Sequence, residues 1–222
     1  MLLAIDTATH FAGLALYGQA QVWAEEIWYS AMTHTVELMP RIQRILSTQQ
    51  VAVETLAGIG VSLGPGSFTG LRIGLAAAKG MALPYRLPLI GVSTLDVVAY
   101  PHQKAGQPVW AIIQAGRGRI GAAGYDWLEA EWVQTVSPTL TTFEELCDLA
   151  AQPALFTGEI DDQAASLLRE RLGQAATIPP PSLRVRRMAC LAELAAARLA
   201  RNDVDDLATL APIYLQYPTS GS

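Results

Sequence analysis

Charge is scarce in this 222-residue chain: Asp, Glu, Lys and Arg make up 16% of it, against 51% hydrophobic residues. A surface so poor in charge leaves apolar area exposed unless something covers it, which favours a subunit over a free monomer. Basic residues are the scarcer sign, 15 Lys and Arg against 20 Asp and Glu, for a net charge of -5. That is the wrong sign for gripping nucleic acid unaided, because phosphate neutralisation dominates such binding. The densest basic cluster, Arg184, Arg186 and Arg187 in "LRVRR", reads as a solvated helix face. Cysteine is nearly absent. Cys147 and Cys190 lie far apart in helix-like runs, which excludes a disulfide framework or zinc spacing and leaves two small hydrophobes. The histidines His10, His34 and His102 are scattered with no H-x-x-x-H among them, so no metal site is expected, and His34 reads as exposed or capping. No run reaches the roughly 18 apolar residues of a membrane span, and "MLLAIDTATHFAG" has no basic leader and breaks at Asp6. A soluble, cytoplasmic protein without a membrane partner is the expectation.

What is present is organised twice over. "LLAID", "FAGLALYG" and "QVWAEEIWYS" read as an antiparallel meander. A helix follows from about Val36 to Ser47, with Leu38, Ile42 and Ile45 on one face and Pro40 tolerable only in the first turn. Then come the strand "LAGIGVSLG", a glycine loop, a helix from about Gly70 to Leu83 and the strand "LIGVS". The second half repeats the plan. "VWAIIQA", "IGAAGYDW" and "EWVQTVSP" are strands, "TTFEELCDLA" opens a helix with Thr142 and Glu145 in capping-box spacing, and "PALFTG" and "DDQAASLLRERL" are the matching strand and helix. A long helix from about Val185 to Arg201 closes the chain, with Met188, Leu191, Ala192 and Ala195 on one side. Both halves thus read β-β-β-α-β-α, an α/β duplication with a cleft between halves as the natural ligand place. The expected boundary divides residues 1–104 from 105–222, and the terminal "APIYLQYP" is a candidate to pack back on the first half.

The loop "SLGPGSFTGLRIGLAAAKGMA" is the one stretch that suggests chemistry. It lies between a strand and a helix, where backbone N–H groups could hold an anion, with Asp6, Gly66, Ser67 and Thr69 as candidate phosphate contacts. Its glycines fit neither common fingerprint, and Leu71-Arg72 stand where a P-loop needs Lys and then Ser or Thr. Close packing, within the domain or against a partner helix, is the other reading of Gly74, Ala76, Ala77, Ala78, Gly80 and Ala82. Asp6 is either a carboxylate orienting a phosphate or metal-bound water, or an acid bonded to its own turn.

Taken together, "IDTAT", "THTVELMP", "GPGSFTGLRIGLAAAKGMA", "GVSTLD" and "PIYLQ" resemble the bacterial TsaB family, most strongly over residues 1 to 100. The resemblance implies a duplicated actin-like, sugar-kinase-like (ribonuclease H-like) fold. It implies a role in making threonylcarbamoyladenosine beside the anticodon of tRNA, as the non-catalytic dimerisation partner of TsaD, with the ATPase TsaE joining the assembly. ATP or ADP and metal are then expected on TsaD and no cofactor on this chain. tRNA is reached only through the complex, and the chain alone pairs with itself. By the same likeness the first-half helices carry the partner surface, with His34, Leu38, Ile42, Ile45, Gly70, Gly74, Ala77 and Ala78 as its residues. Gly74→Leu should then weaken the complex and spare the fold. Two positions depart from the family pattern: Gln114 in "QAGRG" stands for an acid, and Gln216 for a terminal Arg. The rival from another class is an ATP-dependent small-molecule kinase using Asp6 and the loop.

Overall fold

The computed structural model describes residues 1–215 apart from 32, 117, 151 and 152, so Gln216 lies outside the described residues. The chain forms two units. The first joins Met1–Val97 to Arg187–Ile213, and the second holds Val98–Arg186 with the described residues Tyr214 and Leu215.

Unit 1 is built on strands β1 (Leu2–Asp6), β2 (Phe11–Gly18), β3 (Gln21–Tyr29), β4 (Gly58–Gly64) and β5 (Leu89–Ser93), in the order β3-β2-β1-β4-β5. The first three form the antiparallel meander, while β4 and β5 run parallel to β1. Helices α1 (His34–Thr48) and α2 (Phe68–Tyr85) precede and follow β4, and the short α3 (Thr94–Ala99) follows β5. Alternation splits β1 between two cores. Leu3 and Ile5 join Leu38, Ile42 and Leu75 of α1 and α2, whereas Leu2 and Ala4 join Leu191 and Ala195 near the end of the chain. A strand covered on both faces must be apolar at every position, which is why "LLAI" is an unbroken run.

The last cover is helix α7 (Met188–Ala200), which packs across β1, β2, β4 and β5. Its approach is close because the sheet offers glycine at two of the contact points. A Cβ on Gly13 would lie 2.4 Å from Met188 Cγ, and one on Gly60 would lie 2.7 Å from Ala195 Cβ. Beyond α7 the chain returns to the sheet: Asp205 N–H donates to the Leu89 carbonyl of β5 at 2.9 Å, and Ile213 N–H to the Leu63 carbonyl of β4 at 2.7 Å. The units therefore divide the chain elsewhere than at residue 104. Helix α7, contiguous in sequence with the second half, buries Met188, Leu191, Ala192 and Ala195 on the sheet of the first. Pro40 also differs from expectation, falling in the second turn of α1, where one N–H···O=C bond is forgone.

Unit 2 repeats the order. Strands β6 (Val109–Gly116), β7 (Arg119–Leu128), β8 (Glu131–Thr141), β9 (Ala154–Gly158) and the two-residue β10 (Ala176–Thr177) lie as β10-β9-β6-β7-β8. Helices α4 (Phe143–Leu149) and α5 (Asp162–Leu172) flank β9, and α6 (Pro181–Arg184) precedes α7. The Thr142 hydroxyl accepts from Glu145 N–H at 3.2 Å while the Glu145 carboxylate accepts from Thr142 N–H at 3.1 Å, completing the expected capping box. In both sheets, counted within the unit, the order is third, second, first, fourth, fifth: an α/β architecture built twice.

Candidate functional site

The glycine loop leaves β4 and enters α2 directly above the turn that ends β1. Asp6 is fully buried, and both its oxygens are in use: one accepts from Ala8 N–H at 2.8 Å, the other from the Ser62 hydroxyl at 2.6 Å. The turn then inserts its own polar atoms into the loop. Ala8 carbonyl accepts from Ser67 N–H at 2.6 Å, and the Thr7 hydroxyl donates to the Gly70 carbonyl at 2.7 Å. The three glycines exist for this contact. A Cβ on Gly66 would lie 2.3 Å from the Ala8 carbonyl oxygen, one on Gly70 2.1 Å from that of Thr7, and one on Gly74 2.4 Å from the Thr7 hydroxyl.

At Gly66 and Gly70 an anion would meet the Ala8 and Thr7 carbonyl oxygens. Ser67 N–H is taken by Ala8, and Gly70 N–H is taken by the Ser67 hydroxyl at 3.2 Å, so Ser67 serves as the N-cap of α2. Thr69 lies exposed on the first turn. The strand-loop-helix order is that of a phosphate site, while Asp6, Gly66 and Ser67 are engaged by the chain itself.

The residues expected to meet a partner are mostly packed inside their own unit. Leu38 and Ile42 are 1% exposed, Ile45 7%, His34 5% and Ala78 0%; Gly70 and Gly74 are buried, and Ala77 is half-buried against the same core. The apolar stripe of an amphipathic helix is the stripe that faces its own domain. Surface on these helices comes from residues off the stripe: Val36, Met39, Phe68, Leu83 and Tyr85 are between 48% and 69% exposed. Beside them a cavity of about 530 Å³ opens between Met39 and Gln43 of α1, residues 51–53 and Met81 of α2. The signal for this second face was in the sequence, as large apolar residues standing where helical spacing calls for polar ones.

His34 is neither exposed nor a side-chain cap. It is the first residue of α1, bonded to the Thr9 backbone, and its Nδ1 has no hydrogen-bond partner. Burial holds its pKa below the ordinary histidine value.

In unit 2 the position expected to carry an acid is exposed Gln114, and an acid reaches it from the next strand. Glu159, just past β9, accepts from Gln114 N–H at 2.9 Å and pairs with Arg186 at 3.1 Å. Arg186 is 5% exposed, so the "LRVRR" cluster is not a solvated face. Its arginines are anchors: Arg184 bonds the Ile160 carbonyl, Arg186 holds Glu159, and Arg187 grips Glu25 with two donors. Among the described residues no three His, Cys, Asp or Glu side chains come together as metal ligands would, and no helix is long and apolar enough to cross a membrane.

Comparison with known proteins places this geometry. The family model described as "TsaD: tRNA N6-adenosine threonylcarbamoyltransferase" matches residues 29–220. The tRNA threonylcarbamoyladenosine biosynthesis protein TsaB of Bacillus subtilis is 31% identical over 175 residues, 78% of this chain and 76% of that one. TsaB of Escherichia coli is 38% identical over 126 residues, 56% of this chain and 54% of that one. The solved structure of YeaZ from Pseudomonas aeruginosa superposes with a TM-score of 0.79 at 25% identity, covering 96% of this chain and 99% of that one. A Bacteroides thetaiotaomicron protein with an actin-like ATPase fold shares the fold alone, with a TM-score of 0.50 at 9% identity, over 86% of this chain and 95% of that one. On these matches the chain belongs to the TsaB family of tRNA threonylcarbamoyladenosine biosynthesis proteins.

Proposed function

We propose that this chain is a non-catalytic subunit of the threonylcarbamoyladenosine synthesis complex, which binds the TsaD transferase and stabilises it. The observation that carries the reading is the filled loop. With the Thr7 and Ala8 carbonyls against Gly66 and Gly70, and both Asp6 oxygens engaged, the groups a kinase would use for nucleotide phosphate serve the fold. ATP or ADP and metal then belong to TsaD, TsaE joins the assembly, and tRNA is reached through the complex. The exposed apolar residues of α1 and α2, Val36, Met39, Phe68, Leu83 and Tyr85, supply the surface a partner would cover. A chain alone would cover it with a second copy.

The test is the solution mass of the protein alone and mixed with TsaD of the same organism, by sedimentation. A homodimer exchanging into a one-to-one heterodimer is expected. Absence of association at micromolar concentration would overturn the proposal. Magnesium-dependent ATP turnover by the isolated chain, abolished in Asp6→Ala, would replace it with the kinase reading.

A further inference from the structure

The β7–β8 hairpin of unit 2 carries a tryptophan that the fold holds in solvent. Trp127 is 45% exposed and its neighbour Leu128 52%, both at the hairpin end, where Glu129 and Ala130 form a two-residue turn with φ of 51° and 66°. Trp127 lies directly across from Trp132, with ring centroids 6.0 Å apart, and Trp132 stacks in turn on buried Tyr125 at 6.0 Å. The ladder is fixed at both ends. The Trp127 indole N–H donates to the Gln103 carbonyl, and Gln134 donates to the Tyr125 hydroxyl at 3.2 Å. Exposed tryptophans held rigid in this way are what protein interfaces use as anchors.

The charge around it names the partner. Between Ile120 and Val136 the chain has three acids, Asp126, Glu129 and Glu131, and no Lys, Arg or His. Asp126, Glu129 and Glu131 fall within the hairpin end, with Glu129 and Glu131 exposed; Lys104 directly follows Gln103 in the chain. The matching hairpin of unit 1 has an exposed Trp23 bonded to the Gly18 carbonyl at 3.1 Å, yet its "YGQAQVW" is uncharged. We infer that the β7–β8 hairpin end docks a segment of a partner protein that combines Lys or Arg with aliphatic residues. A guanidinium would lie over the Trp127 ring with a carboxylate beside it, and an aliphatic side chain would cover Leu128. The same carboxylates repel a nucleic-acid backbone.

The test follows the tryptophan indole N–H signals of the full chain by NMR while a blocked octapeptide of alternating Arg and Leu is titrated in. Trp127→Phe assigns the signal. Saturable shifts at Trp127 and Trp132 are expected, with Trp23 unmoved and no shift from the same peptide carrying Glu in place of Arg. The Glu129→Gln/Glu131→Gln double variant changes exposed positions and should fold normally while binding the peptide about tenfold more weakly. A still Trp127 signal, equal response to the Glu peptide, or wild-type affinity in the double variant would each overturn the inference. So would a single-stranded oligonucleotide moving the same signals.

Discussion

The two units share a strand order but settle the end of their first strand in opposite ways. In unit 1 the acid stands on the first strand, as Asp6, and the fourth strand supplies a neutral donor, Ser62. In unit 2 the first strand offers neutral Gln114, and the acid, Glu159, comes from the end of the fourth and draws in Arg186. The shared topology requires the two strand ends to be joined and leaves open which one carries the charge. A carboxylate held by a hydroxyl and an N–H keeps a turn in place, whereas one held by a buried arginine also ties down the segment bearing that arginine.

The sharpest way to break unit 1 is through the loop glycines. Gly70→Ala forces a methyl to 2.1 Å from the Thr7 carbonyl, a backbone atom that cannot swing aside, and Gly74→Leu is worse. A loss of about 3 kcal/mol or more is expected, seen as a collapsed urea midpoint. This reverses the expectation that Gly74→Leu spares the fold. The corresponding strain on unit 2 is electrostatic. Arg186→Leu leaves Glu159 part-buried without its cation and should cost about 2–4 kcal/mol, much of it recovered in the double variant with Glu159→Gln. Asp6→Asn keeps an acceptor for Ala8 N–H and lets the Ser62 hydroxyl turn round, so about 1 kcal/mol is expected there.

Acid should act on both units with the same sign. Burial depresses the pKa of His34 in unit 1 and of His102 in unit 2, where His102 Nε2 lies 2.9 Å from the Thr157 hydroxyl. The unfolded chain therefore takes up protons first, near the ordinary value of 6.5. Stability is present above that pH and falls as pH drops through 6.5 toward the folded values, by at most about 1.4 kcal/mol per histidine per pH unit. The effect is less for part-exposed His102, where solvent screens the shift. Urea midpoints at pH 7.5 and 5.5 measure it, and His34→Gln should remove one of the two contributions. The smallest stability effect belongs to the exposed face. Val36→Ser and Leu83→Ser should change unfolding by no more than about 0.5 kcal/mol while weakening the proposed association with TsaD.

Much of the architecture was legible because it rests on period and order: alternating strands, a capping box and a plan repeated twice. The misreadings have a common physical source. Residue types show that Gly66, Gly70 and Gly74 admit a close neighbour, but the identity of that neighbour, Thr7-Ala8, depends on β1 lying beside β4. Helical spacing found Leu38, Ile42 and Ile45 correctly as a stripe, and burial shows the stripe facing inward. Arginines in a polar run look solvated until a partner some 27 residues away, as for Arg186 and Glu159, is brought beside one. Strand β10 is two residues long, too short for any periodicity.

The return of α7 to the first sheet carries a consequence for how the chain is made. Leu2, Ala4, Ala15 and Ile90 leave the ribosome early, but the helix that covers them begins at Met188. Translation of Val98–Arg186 intervenes, roughly 5–20 s at ordinary elongation rates. Throughout that interval one face of a finished sheet has no cover of its own, and unit 2 can complete its fold first. The earlier-synthesised unit is thus the later to mature, and a ribosome stalled before Met188 would release a chain with that face bare.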